Sequence, residues 1–92
     1  MKRAEFEEQL KSDGYSQIET KDYVPRPPNE AHGHDFAVRG LVLEGAFTVI
    51  QGDQSVTFRP GQVFTVAVGI PHSEEVGPQG ARVLVGRRGA SS

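Results

Sequence analysis

The chain has no cysteine and no tryptophan among its 92 residues. The missing thiols exclude a disulfide scaffold, thiolate zinc sites and cysteine nucleophiles together, so any metal must be held by imidazole, carboxylate or water. An excess of charge is missing too. Ten Lys and Arg stand against twelve Asp and Glu, with no basic block to follow a phosphate backbone, which argues against nucleic acid as a partner. No apolar run is long enough to cross a bilayer, and the charged start Met1-Lys2-Arg3-Ala4-Glu5-Phe6-Glu7-Glu8 lacks the apolar core of a secretory signal. The expectation is a soluble, cytoplasmic protein without membrane contact. Its length allows one domain around one core, and a chain this short commonly draws stability from a ligand, a metal or a second subunit.

What is present divides into three stretches. From Arg3 to Ser12, Phe6 and Leu10 recur four apart among Glu and Lys, and Gly14 follows as a stop signal, which predicts a short amphipathic helix whose narrow stripe must dock on something. Residues 22–30 carry Pro25, Pro27 and Pro28 and read as an extended entry arm. Beyond Ala31 come runs rich in Val, Ile, Leu, Phe and Thr: Phe36 to Leu43, Phe47 to Gln51, Ser55 to Phe58, Val63 to Val66, Ser73 to Val76 and Arg82 to Gly86. Between them stand turn signals, among them Glu44-Gly45, Gly52-Asp53, Arg59-Pro60-Gly61 and Gly77-Pro78-Gln79-Gly80. Many short strands without intervening helices predict an all-β sandwich or barrel of antiparallel strands. The expected organisation is a helix and arm over 1–30, belonging to the same domain as a barrel over 31–88, with a flexible tail at 89–92.

The chemistry concentrates in the three histidines. His32-Gly33-His34 places two imidazoles two residues apart, which on an extended strand puts both on one face within reach of one ion. His72 follows far later, behind Gly69-Ile70-Pro71, and a barrel can bring the two segments together.

With these residues the chain resembles the cupin superfamily from about Glu30 to Val85. The first cupin motif is His-x-His, then a Glu, then a Gly. Here His32 and His34 match, Val38 occupies the Glu position and Gly45 the Gly position. In the second motif Gly61 opens, Ala67-Val68-Gly69 replaces Pro-x-Gly, His72 is the histidine, and Val76 stands where an Asn often follows. The resemblance implies a cupin-type antiparallel β-barrel, a double-stranded β-helix or jelly roll, behind a short N-terminal helix. It also implies one divalent metal ion (iron, manganese, nickel or zinc) on His32, His34 and His72.

Val38 cannot coordinate, so the site lacks one ligand and one negative charge of the common cupin set. Glu74, two residues beyond His72 and of the same strand parity, is a candidate fourth ligand. Asp35 and Arg39 have the opposite parity and should face outward, and Glu44 falls in a turn. Inward parity nominates Phe36 and Val38, with some of Phe47, Val49, Phe64 and Val66, as pocket walls. Three function classes stay open. One is a small metalloenzyme, dioxygenase- or isomerase-like, acting on a small anionic molecule. A non-catalytic ligand-binding or sensing cupin is the second, and a metal-free structural cupin the third. A homodimer is expected from the chain's size, the helix stripe and the reach of the arm.

Overall fold

The structure, a computed structural model, describes residues 1–89. The expected tail lies outside the described residues from 90 onward, while Gly89 ends a strand opposite Phe36. Helix α1 (Arg3–Ser12) forms where the sequence places it, with Glu5 in its first turn and Lys11 in its last, each complementing the helix dipole. Phe6 and Leu10 are completely buried. They pack with Tyr15, Ala37, Leu41 and Leu84 of the same chain, so the stripe that called for a partner finds it on the chain's own sheet.

The strands are β1 (Ser16–Tyr23), β2 (Phe36–Gln51), β3 (Gln54–Phe58), β4 (Val63–Val66) and β5 (Ser73–Gly89). All pairings are antiparallel; the sheet order is β1-β5-β2-β3, with β4 also on β2. Strand β1 was not anticipated. Its sequence, Ser16-Gln17-Ile18-Glu19-Thr20-Lys21-Asp22-Tyr23, is mostly polar and gives no apolar alternation to read.

Four expected runs merge into the two long strands. Glu44-Gly45 and the Gly77 to Gly80 stretch make no reversal; instead the β2–β5 register shifts between Val42 and Glu44 and between Gly45 and Phe47. Gly45 and Gly80 adopt φ of +79° and +75°, a conformation that costs glycine nothing, and the strands bend there as at a bulge. The bend changes side-chain parity, which is why even-numbered Val42 and odd-numbered Phe47 and Val49 share one core.

The sheet thereby buries both faces. On one, Val42, Phe47, Val49, Phe64, Val66, Val76, Ala81, Val83 and Val85 form the interior core, with Phe47 and Phe64 stacked at 5.1 Å. Ala37, Leu41 and Leu84 on the other face meet the helix. No described helix is long and apolar enough to cross a membrane.

The proline-rich arm runs back along the start of β5. Arg26 and Val76 exchange both backbone hydrogen bonds (3.2 and 3.1 Å), the Asn29 N–H donates to the Glu74 carbonyl (3.3 Å), and His32 and His72 exchange both of theirs at 2.8 Å. Pro25 precedes the first of these pairing positions and Pro27 and Pro28 fall between the first two, so the missing N–H is not called on.

Two substitutions test this account by urea unfolding. Phe6→Ala should cost about 3–5 kcal/mol by emptying the helix-to-sheet core. Gly45→Ala should cost roughly 1–3 kcal/mol from backbone conformation alone, plus a clash, because its Cβ would fall on the Gly80 carbonyl oxygen. A change within about 0.5 kcal/mol of the parent, as for an ordinary surface site, contradicts the corresponding assignment.

Candidate metal centre

His32 and His34 lie on the segment that leads into β2, and His72 immediately precedes β5. The turn that delivers His72 is fixed locally. Ile70 N–H reaches back to the Ala67 carbonyl (3.4 Å), Gly69 takes φ +74°, and the Gly69 N–H donates to the His34 carbonyl at 2.8 Å. Of the Pro-x-Gly turn in the second motif this chain retains Gly69, and its position needs the left-handed backbone that glycine adopts without strain.

The backbone bridge between His32 and His72 then brings the two motifs into contact. Ring centroids are 4.4 Å apart for His32 and His72, 5.0 Å for His32 and His34, and 5.3 Å for His34 and His72. One ligand-capable nitrogen from each ring lies within 4.8 Å of the others. Nitrogens about 2.0–2.1 Å from a zinc-sized ion stand roughly 3–3.4 Å apart, so small side-chain rotations close the set, and the residues fit a divalent metal.

Hydrogen bonds select the ring tautomers. His32 Nδ1 lies 3.1 Å from the Glu30 carbonyl oxygen and His72 Nδ1 lies 3.2 Å from that of Ile70. A carbonyl only accepts, so in each ring Nδ1 carries the proton and donates, leaving Nε2 with its lone pair. His34 has a different support: its ring stacks on Phe36 at 4.7 Å with 14° between planes. Burial, followed by the His32 and His72 rings, pulls the His34 pKa below the ordinary histidine value. Its neutral, coordinating form is favoured.

A cavity of about 200 Å³ opens beside the rings. His32, His34, Phe36, Val38 and Glu74 line it, as do Gln17, Glu19, Lys21 and Tyr23 from β1 and Val85, Gly86 and Arg87 from β5. Glu74 Oε2 stands 3.8 Å from His72 Nε2, and Glu74 Oε1 accepts from Arg26 at 3.2 Å. Burial, and next the Glu74 charge, raises the Tyr23 pKa, so its hydroxyl keeps its proton.

The other nominated residues sort by depth. Phe36 and Val38 line this cavity, whereas Phe47, Val49, Phe64 and Val66 belong to the interior core; Val49 and Phe64 also border a smaller hollow near β3. Asp35 is exposed, Arg39 lies over Tyr15 beside the helix, and exposed Glu44 pairs with Arg82.

Sequence reasoning did not nominate Gln17, Glu19, Lys21, Tyr23, Arg26 or Arg87. One signal was available. Val85 and Arg87 share parity, so carrying the last strand one residue past Gly86 would have brought Arg87 to the same face.

Solved structures of this architecture supply the comparison. A Rhizobium leguminosarum protein of unknown function superposes with a TM-score of 0.72 at 21% identity, over 78% of this chain and 68% of that one. A cupin-2 domain protein from Shewanella frigidimarina gives 0.66 at 19%, over 79% and 69%. The chain has the cupin fold. Oxalate decarboxylase also matches, with a TM-score of 0.68 at 21% identity, 82% of this chain covering 21% of that longer one. A scan of protein-family models and a search of curated proteins each return no match.

The position where the first cupin motif carries a glutamate gives the test. Val38 lines the cavity, half-buried, directly across from Arg87. Val38→Glu should tighten metal binding by adding a carboxylate. Without metal it should cost about 1–3 kcal/mol for the poorly solvated group, less whatever Arg87 offsets. Melting curves with and without added zinc read both effects. A variant unchanged in apo stability and in its response to zinc would remove Val38 from the site.

Proposed function

We propose that this cupin holds one divalent metal ion on His32, His34 and His72 and binds, or acts on, a small anionic molecule in the adjoining cavity. The observation that carries the reading is the pair of Nδ1–H donations to the Glu30 and Ile70 carbonyls. Metal-bound histidines characteristically anchor their far nitrogen in this way, which orients the ring and raises its basicity. Three imidazoles suit iron, nickel or zinc, and manganese less strongly.

A divalent ion held by the three histidines would supply Lewis acidity towards an oxygen ligand from the cavity. The protein's own groups do the rest. His32 and His72 are held in the coordinating tautomer, His34 is held neutral against Phe36, and Tyr23 offers a hydroxyl donor. Glu74, the nearest carboxylate, turns Oε2 towards His72 while Oε1 stays on Arg26, so it could become a fourth ligand through Oε2. With no coordinating carboxylate the centre keeps a net charge near +2, and that favours an anion as the occupant. Oxalate decarboxylase, which shares the fold, is named for a small acid.

Metalloenzyme and sensing module use this site equally, and oxygen consumption or product formation distinguishes them. A cytoplasmic homodimer belongs to the same proposal. Only the small size of the chain supports the dimer now, since helix and arm are both docked within one chain.

Protein purified without a metal-affinity tag is expected to contain about one divalent metal per chain by elemental analysis. His72→Ala should lose the metal and still melt as a folded domain. Failure to retain iron, manganese, nickel, cobalt or zinc, each loaded in turn, overturns the proposal. Global unfolding of the His34→Ala and His72→Ala variants would instead assign the histidines a structural role. Sedimentation at micromolar concentration tests the dimer, and a monomer contradicts it.

A further inference from the structure

The cavity holds a charged group that the histidine set does not use. Arg87 sits on β5, opposite Val38 on one side and Ser16 on the other, and lines the cavity. Its guanidinium carbon lies 4.4 Å over the Phe36 ring, and Phe36 stacks on His34 at 4.7 Å. Those two distances together bound the gap between guanidinium and imidazole, so one small molecule can touch both.

The other charged groups of the cavity are matched. Lys21 pairs with Glu19 at 3.6 Å, and Glu74 pairs with Arg26 at 3.2 Å. Arg87 has no ion-pair partner among the described residues, which leaves the cavity wall one unmatched positive charge.

A second observation points to the same spot. Gln17 is the one non-glycine among the described residues with a left-handed backbone, at φ +51°. It sits where the β1–β5 register slips between Ser16 and Glu19, next to the Ser16–Arg87 pair, and it lines the same cavity. Strain of this kind persists only where the surrounding structure enforces it, and it collects at binding sites.

We infer that Arg87, assisted by Gln17, is a specificity-determining subsite that takes the carboxylate of a short carboxylic acid whose other end meets the histidine set. Only the second half of this inference rests on the metal reading above. The planar guanidinium, held over Phe36, matches a carboxylate through two parallel hydrogen bonds, and the Gln17 amide adds a third donor. One unmatched charge balances one carboxylate. A phosphate dianion would concentrate both of its negative charges at Arg87 beside Glu19, whereas a dicarboxylate carries its second charge away to the histidine set. The cavity of about 200 Å³ is of a size for a small molecule.

Titrating succinate, with inorganic phosphate as the comparison, into metal-free and zinc-loaded protein tests this. The readout is the NMR shifts of the Gln17 side-chain amide and the Gly86 backbone amide. Saturable shifts with succinate are expected in both forms, weakened about tenfold or more in Arg87→Gln. Arg87→Lys, which keeps charge and stem but loses the fork, should fall between them, and it supplies the reading if the glutamine variant does not fold. Zinc content and melting temperature should not change.

Succinate affinity independent of Arg87 in protein that retains zinc sinks this inference and spares the metal centre. Arg87-dependent succinate binding in protein that takes up no zinc does the reverse. Phosphate bound more tightly than succinate through Arg87 overturns the carboxylate assignment.

Discussion

Two backbone hydrogen bonds, exchanged between His32 and His72 at 2.8 Å, decide what the rest of the site can be. Residues paired in this way across antiparallel segments carry their side chains on the same face of the sheet, so the bridge sets the two imidazoles side by side although 39 residues separate them in sequence. His34, two residues on, joins them by strand parity. The side chains do not have to find one another, because the backbone has already brought them together. Each bond contributes only about 0.5–1.5 kcal/mol net, yet the pair fixes direction as well as distance.

That bridge is one end of a longer strap. The arm is pinned at Arg26, Asn29 and His32 along the start of β5, and Glu74, held from its backbone N–H by the Asn29 side chain at 2.7 Å, projects towards His72. The arm therefore brings His32 to the cavity and positions its nearest carboxylate. Strand β1 builds one wall, where every second residue, Gln17, Glu19, Lys21 and Tyr23, lines it. Polar residues on an inward face are expensive in a core but suit a wet cavity, which explains why β1 has so little apolar character.

The parts of this arrangement that burial and parity control were legible in the sequence. Phe6 and Leu10 announced the helix and its buried stripe, and the His32, His34, Phe36, Val38 series follows strict alternation onto the cavity. The expected all-β fold with a short N-terminal helix, carried by the two motifs in order, is the fold found. What could not be read depends on contacts between distant segments. Gly45 and Gly77 to Gly80 look like turns in isolation, and only the pairing of β2 with β5 makes them bends within continuous strands. β1 is a strand because β5 offers it an edge, not because its own residues prefer one. Arg87 matters because Phe36 and Ser16 stand beside it, and no local pattern reports that.

Ring tautomers connect the fold to the chemistry most directly, since the carbonyls of Glu30 and Ile70 are fixed by the same backbone that forms the bridge. Long-range nitrogen–proton NMR correlations on the metal-free protein above neutral pH identify the protonated nitrogen of each imidazole. The account predicts Nδ1–H for His32 and His72, with unprotonated Nε2 resonances that move when zinc is added. Finding Nε2–H in both rings, with spectra indifferent to zinc, would contradict it.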